Sequence, residues 1–137
     1  FKVSWNSGGE DWLSPWELYL IPPKSFSFSV MKRNVSKAIQ NIVSRWNTVE
    51  EVKQFFREQV DYEQYPDYLV VNPYPVWTNL ILQRLSSMYY RTKDAVIWDV
   101  YMLIENAKRY NDDGSYLNEF ASNDLEEMKK EIETIVD

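Results

Sequence analysis

The chain has 137 residues, 45% of them hydrophobic and 26% charged, and a formal charge of -6 from 15 Lys plus Arg against 21 Asp plus Glu. That length predicts one compact core, and that composition excludes a mainly disordered, collagenous or low-complexity chain. With no Cys and no His, the chain has no disulfide, thiolate nucleophile, Ser-His-Asp triad, imidazole base or usual zinc constellation, and its acidic balance favours a basic partner over nucleic-acid phosphates.

Aromatics are the outlier, at 16% of the residues against only 3 Gly. Rings supply large buried area and recognition surface, which suits a packed bundle with an aromatic-lined pocket. No apolar run approaches the roughly 20 residues needed to cross a bilayer, and the start does not look like a signal peptide. We therefore expect a soluble, intracellular chain, and, because it opens on Phe1 and not on methionine, a piece of something longer.

In chain order, Phe1, Val3 and Trp5 alternate with Lys2 and Ser4 ahead of the turn residues Asn6-Ser7-Gly8-Gly9, which predicts a short hairpin with Trp12 and Leu13 opening the return strand. Ser14-Pro15-Trp16-Glu17 reads as a single helical turn, Ile21-Pro22-Pro23 as a break, and Lys24 to Val30 as an extended linker. From Val35 the period changes: Val35, Ala38, Ile39, Ile42, Val43 and Trp46 predict the first long helix. Thr48-Val49-Glu50-Glu51 matches a capping box, opening a short helix that carries Val52, Phe55 and Phe56. Pro66, Pro73 and Pro75 then exclude a continuous helix between Gln59 and Pro75 and leave a long loop, a kind of segment that is usually functional.

Pro75 is placed to be the first residue of the next helix, running through Trp77, Leu80, Ile81, Arg84, Leu85 and Met88. Thr92 caps a third long helix, in which Val96, Ile97, Val100, Tyr101, Ile104 and Ala107 form a wide stripe. After the break at Asn111-Asp112-Asp113-Gly114-Ser115, Leu117, Phe120, Ala121, Leu125, Met128, Ile132 and Ile135 predict a last amphipathic helix with a charged outer face. The expected fold is all-α: an antiparallel four-helix bundle (residues 31–137) with a long loop between the first two long helices, preceded by a short N-terminal β-hairpin segment and linker (residues 1–30).

In such a bundle the loop after the first helix and the turn between the third and fourth share one end, so Tyr68 and Asn111 can meet there. A concave site lined by Phe56, Val60, Tyr65, Tyr68, Ala107, Tyr110 and Leu117 is mostly apolar, with one primary amide and a few phenols as polar handles. It suits a small neutral ligand with an amide and a short apolar end. Each of these residues also has a plain packing reading: Asn111 before Asp112-Asp113-Gly114 can simply end a helix, and Tyr65, Tyr68, Phe56, Ala107 and Leu117 can be core. Asp112 and Asp113 as a carboxylate pair would suit an enzyme, but they sit in a turn with no visible partners.

Tyr65-Pro66-Asp67-Tyr68-Leu69-Val70-Val71, then Pro75, the run Ile81-Leu82-Gln83-Arg84-Leu85, Tyr110-Asn111 and a hydrophobic residue six places on resemble, in order and spacing, a bromodomain over about Val35 to Val136. Gln59-Val60-Asp61 close before Tyr65-Pro66, and Ser14-Pro15-Trp16-Glu17 before Ile21-Pro22, make it similar to the first bromodomain of the bromodomain and WD-repeat family, in which the latter motif ends a Tudor-like segment. The resemblance implies a non-enzymatic acetyl-lysine reader of histone tails within a larger nuclear chromatin protein. It implies a monomer that needs no metal or organic cofactor and binds neither nucleic acid directly nor membrane.

By the family pattern Asn111 donates to the acetyl carbonyl and Tyr68 holds a water on the same oxygen. Phe56 and Val60 meet the methyl, Tyr65 lines the loop side, Ala107 and Tyr110 line the helix side, and Leu117 is the gatekeeper. Two departures are visible: Gln54-Phe55-Phe56 replaces the family's Trp-Pro-Phe shelf, and Val76-Trp77 replaces the usual Met-Asp. The Tudor-like module is associated with methylated lysine, but only its tail is present, so Trp5, Trp12 and Trp16 read as packing residues. The competing reading is a structural bundle that binds a partner protein and keeps only a degenerate pocket.

Overall fold

The structure, a computed structural model, describes residues 2–4, 10–12 and 30–137. Strand β1 (Lys2–Ser4) pairs antiparallel with β2 (Glu10–Trp12), with Lys2 opposite Trp12 and Ser4 opposite Glu10. The expected hairpin is present, and its return strand begins at Glu10, two residues before the predicted start. The predicted turn at Ser14 to Glu17, the break at Ile21 to Pro23, the linker before Val30 and the packing of Trp5, Trp12 and Trp16 lie outside the described residues.

Helix α1 (Arg33–Trp46) buries Val35, Ile39 and Val43, on the stripe that its spacing predicts. Two short helices follow, α2 (Glu50–Phe55) and α3 (Tyr68–Val71), both within the connection that leads to α4 (Thr78–Ser86). Helix α5 (Lys93–Tyr110) is the longest; Thr92 caps it by accepting the Ala95 amide at 3.2 Å, as expected. The last helix is continuous from α6 (Tyr116–Phe120) through a π turn (Ala121–Leu125) into α7 (Glu126–Glu133). Helix α1 packs on α4 and α7, and α5 packs on α6, the π turn and α7, so the four long helices form the predicted bundle.

The core is the sum of those stripes: Ile39 and Val43 from α1, Ile81 and Leu85 from α4, Val96 and Val100 from α5, and Leu125, Met128 and Ile132 from the last helix are all essentially inaccessible. Each such side chain contributes about 1.5–3 kcal/mol by leaving water. Directed polar ties fix the register. Ser36 donates its hydroxyl to the Leu85 carbonyl at 3.3 Å, Trp46 donates to Glu131 at 3.1 Å, and Lys93 covers the Glu133 and Ile135 carbonyls at 3.0 and 2.6 Å.

Two local expectations fail for identifiable reasons. The capping box does not form: the Thr48 hydroxyl donates back to the Arg45 carbonyl at 2.6 Å, closing α1, so Val49, which has no side-chain acceptor to offer, stands at the cap position just before α2. Nor is Pro75 the first residue of α4, which starts at Thr78. Its leading amides need no side-chain cap, because Thr78 N–H donates to the Phe56 carbonyl at 2.9 Å and Asn79 N–H to that of Arg57 at 3.1 Å. Met88 lies past the end of α4 with φ 58°. Tyr101 faces outward at 38% exposed, while the unpredicted Leu103 takes a core position.

Candidate functional site

The bonds that start α4 also place the floor of a cleft. They hold the Phe56 carbonyl, while the Phe56 ring is buried and stacks on Phe120 of the last helix, centroids 5.7 Å apart. From Phe56 the chain runs over the open end of the bundle through Gln59-Val60-Asp61. There the Asp61 carboxylate accepts the Glu63 and Gln64 amides at 2.9 and 3.4 Å, and the Asp61 carbonyl accepts the Tyr65 amide at 2.9 Å. These local bonds are ones that Asp makes readily, and they turn the loop back so that Tyr65 and Tyr68 face α5.

Tyr68 opens α3 and is buried at 8% exposed. Its ring packs edge-on to Tyr110, centroids 4.8 Å apart, and stacks with Tyr62 at 6.3 Å; Tyr65 meets Tyr110 edge-on at 6.2 Å. Tyr110 donates its hydroxyl to the Asp67 carboxylate at 2.8 Å, clasping the loop to the end of α5. Burial pushes the Tyr68 phenol above its ordinary range against an opposing hydrogen bond with Asn72, and the bond to Asp67 pushes Tyr110 upward. Both rings therefore stay neutral at pH 7, with hydroxyls able to donate and accept.

Behind Tyr68 a buried amide network holds α3 to α5. Asn72 donates to the Asn106 carbonyl at 3.0 Å and accepts from Arg109 at 2.9 Å, and Asn106 donates to the Tyr74 carbonyl at 2.8 Å. The second anchor, Asp99 of α5, lies buried between Arg84 (2.6 Å), the Tyr90 hydroxyl (2.6 Å) and the Tyr74 hydroxyl (3.3 Å). The sequence singled out none of Asn72, Asn106 and Asp99. For Asn106 and Asp99 the signal is a polar residue on the face of α5 that also carries the core, where desolvation is offset only by hydrogen bonds; Asn72, just past the end of α3, has no such signal.

Asn111 ends α5 and leaves it in extended backbone (φ -100°, ψ 139°). Its backbone amide and its side-chain Nδ2 both donate to the Ala107 carbonyl, at 3.0 and 2.8 Å. One Nδ2 hydrogen and Oδ1 are left with no partner among the described residues.

Asn111, Tyr68, Phe56, Val60, Tyr65, Ala107, Tyr110 and Leu117, the eight residues expected from the sequence, all line one cleft of about 460 Å³. Val76 and Leu103 complete its apolar wall. Leu103 lies one helical turn before Ala107, a spacing from which it was predictable. Gln54, Glu58, Gln59, Asp61 and Gln64 form the polar part of the lining, and no lysine or arginine is among the lining residues. Phe55 of the replaced shelf also lines the cleft, with 47% of its surface exposed. Such a space can enclose a short uncharged chain ending in a hydrogen-bonding carbonyl.

The bromodomain family model matches residues 39–123, from the middle of α1 into the π turn. The chain belongs to the bromodomain family. This bromodomain is similar to a bromodomain and WD repeat-containing protein of Dictyostelium discoideum, at 36% identity over 62 residues, which are 45% of this chain and 3% of that protein. It is also similar to the chromatin structure-remodeling complex subunit snf21 of Schizosaccharomyces pombe, at 27% identity over 84 residues, 61% of this chain and 7% of that one. The chain thus spans a small part of the length of either relative. Among solved structures, the Trypanosoma cruzi bromodomain BDF2 superposes with a TM-score of 0.63 at 22% identity, over 80% of this chain and 96% of that one. The family motifs and the bundle agree on the same fold.

Proposed function

We propose that this bromodomain reads acetyl-lysine in histone tails, as a non-catalytic module of a larger, nuclear, chromatin-associated protein. The observation that carries the reading is that Tyr68 and Asn111, 43 residues apart in the chain, line the same apolar cleft. Acetylation removes the lysine ammonium charge and leaves a neutral amide, so an apolar slot accepts the side chain that it otherwise rejects. The free Nδ2 hydrogen of Asn111 donates to the acetyl carbonyl, and the Tyr68 hydroxyl holds a water on the same oxygen. Phe56 and Val60 receive the methyl, Tyr65 lines the loop side, Ala107 and Tyr110 line the helix side, and Leu117 guards the entrance. A scaffold with a degenerate pocket has no need to bring that amide and that phenol together, and their shared cleft favours the reader.

The kinship with a chromatin-remodelling subunit supports the chromatin setting. Residues 31–137 form the reader in this proposal, and residues 1–30 are the tail of a Tudor-like module. The module acts as a monomer, without cofactor, and without direct contact to nucleic acid or membrane.

Calorimetric titration of matched histone-tail peptides tests this. The acetylated peptide binds, the unmodified one does not, and Asn111→Ala loses about 1–3 kcal/mol, because the bound carbonyl is then buried without a donor. A mutant that retains full affinity contradicts the assignment.

A further inference from the structure

Asn118 lies outside the cleft lining and outside the motifs that identify the family. It is buried, at 8% exposed, in the first turn of α6, after the break that follows Asn111. From there Nδ2 donates to two carbonyls at once, those of Lys108 at 3.0 Å and of Asn111 at 3.1 Å. Lys108 is in the last turn of α5, where carbonyls have run out of intrahelical donors, and Asn111 is the first residue beyond that helix. A single amide group therefore ties the end of α5 to the residue that leaves it. On its other side Asn111 is held through its own N–H and Nδ2, both bonded to the Ala107 carbonyl.

We infer that Asn118 is a positioning residue for the reading amide: by clamping the Asn111 carbonyl it fixes the main-chain geometry from which the free Nδ2 hydrogen enters the cleft. The inference rests on the acetyl-lysine reading of that cleft. The chemistry requires asparagine. Two acceptors call for two hydrogens on one nitrogen; aspartate of the same shape has none and sets a carboxylate against two carbonyls, and serine offers one. The start of α6 does not need the residue, since Ser115 caps it by accepting the Asn118 backbone amide.

The test compares the 137-residue chain with Asn118→Asp and Asn118→Ser. Two quantities are read: affinity for a histone-tail peptide carrying one acetyl-lysine, and the side-chain amide resonances of Asn111 in the peptide-free protein. Asn118→Asp, with helical circular dichroism retained, displaces the Asn111 side-chain resonances and weakens peptide binding about tenfold. Asn118→Ser falls between it and the native chain in both, and carries the test should the aspartate variant not fold. A folded variant whose Asn111 resonances stay in place overturns the inference, and so does loss of fold in both variants, which would make Asn118 a framework residue. If no acetylated peptide binds the native chain, the reading of the cleft fails, while the resonances still decide the role of Asn118.

Discussion

At the scale of single residues, the cleft depends on side chains whose alternatives are removed by their neighbours. Tyr68 is the clearest: its ring is fixed between Tyr62 and Tyr110, and its hydroxyl is held by a hydrogen bond with Asn72. We predict that Tyr68→Phe costs about 1 kcal/mol of stability, because the hydrogen bond with buried Asn72 is lost, and weakens acetylated-peptide binding about threefold to tenfold, because the water-mediated contact is lost as well. Paired melting and calorimetry check this, and unchanged affinity would remove Tyr68 from ligand binding. Eight of the lining residues could be named from the sequence because the family resemblance gives them in order and spacing, whereas Val76 and Leu103 of the wall were not named among them. Asn118 and Asn72 were not legible, because a buried amide bonded to distant carbonyls leaves no local pattern: Asn118 is one polar letter in a short helix, and Asn72 is one in the connection after α3.

At the scale of elements, the stripes of α1, α5 and the last helix were readable because apolar groups recur every three or four residues. Ends were less so, since they are decided by which partner reaches an orphan amide first. Thr48 serves the helix behind it, and α4 takes its first acceptors from Phe56 and Arg57 instead of from a cap. The π turn was invisible to periodicity: it adds a residue inside the stripe and still leaves Phe120 facing Phe56 and Leu125 facing the core. The connection between α1 and α4 is bolted to α4 and α5 by Asp99, in a buried ion pair with Arg84 and in bonds to Tyr74 and Tyr90. Burial pulls the Arg84 pKa down, but the bonds that Arg84 donates to Tyr74 and Asp99, together with the attraction of their charges, raise it on balance. Asp99→Ala leaves that cation and two phenols without their acceptor, and we predict a loss of about 2–4 kcal/mol in urea unfolding at pH 7, below the extreme for such pairs because Arg84 retains some exposure. A loss under about 1 kcal/mol would show that Asp99 is not the anchor.

At the scale of the whole molecule, the bundle is a frame that brings one loop and one helix end together, and α1 and the last helix contribute mainly by making that frame rigid. Among the described residues no helix is long and apolar enough to cross a membrane. The tyrosines give the frame a signature in alkali. Tyr90 is essentially buried, and its pKa is driven strongly upward by burial and by the bond to Asp99; Tyr68, Tyr110 and Tyr116 shift the same way. An unfolded tyrosine ionises near pH 10, whereas native Tyr90 keeps its proton, so above that pH the unfolded state binds fewer protons and stability falls. We predict unfolding free energy insensitive to tyrosine ionisation up to about pH 10 and declining beyond it, with a shallower decline in Tyr90→Phe. Urea unfolding from pH 8 to pH 11 measures both slopes, and equal slopes in the two proteins would contradict the assignment to Tyr90.

The central claim is that the cleft between the loop and the tip of α5 holds an acetylated lysine with its methyl group inward. A histone-tail peptide labelled with ¹³C at the acetyl methyl reports this through nuclear Overhauser contacts in the complex. The account predicts cross-peaks from that methyl to the Phe56 ring and the Val60 methyls, with loss of the bound signal in Asn111→Ala. Cross-peaks to residues outside the cleft, or none at saturating peptide, would contradict it.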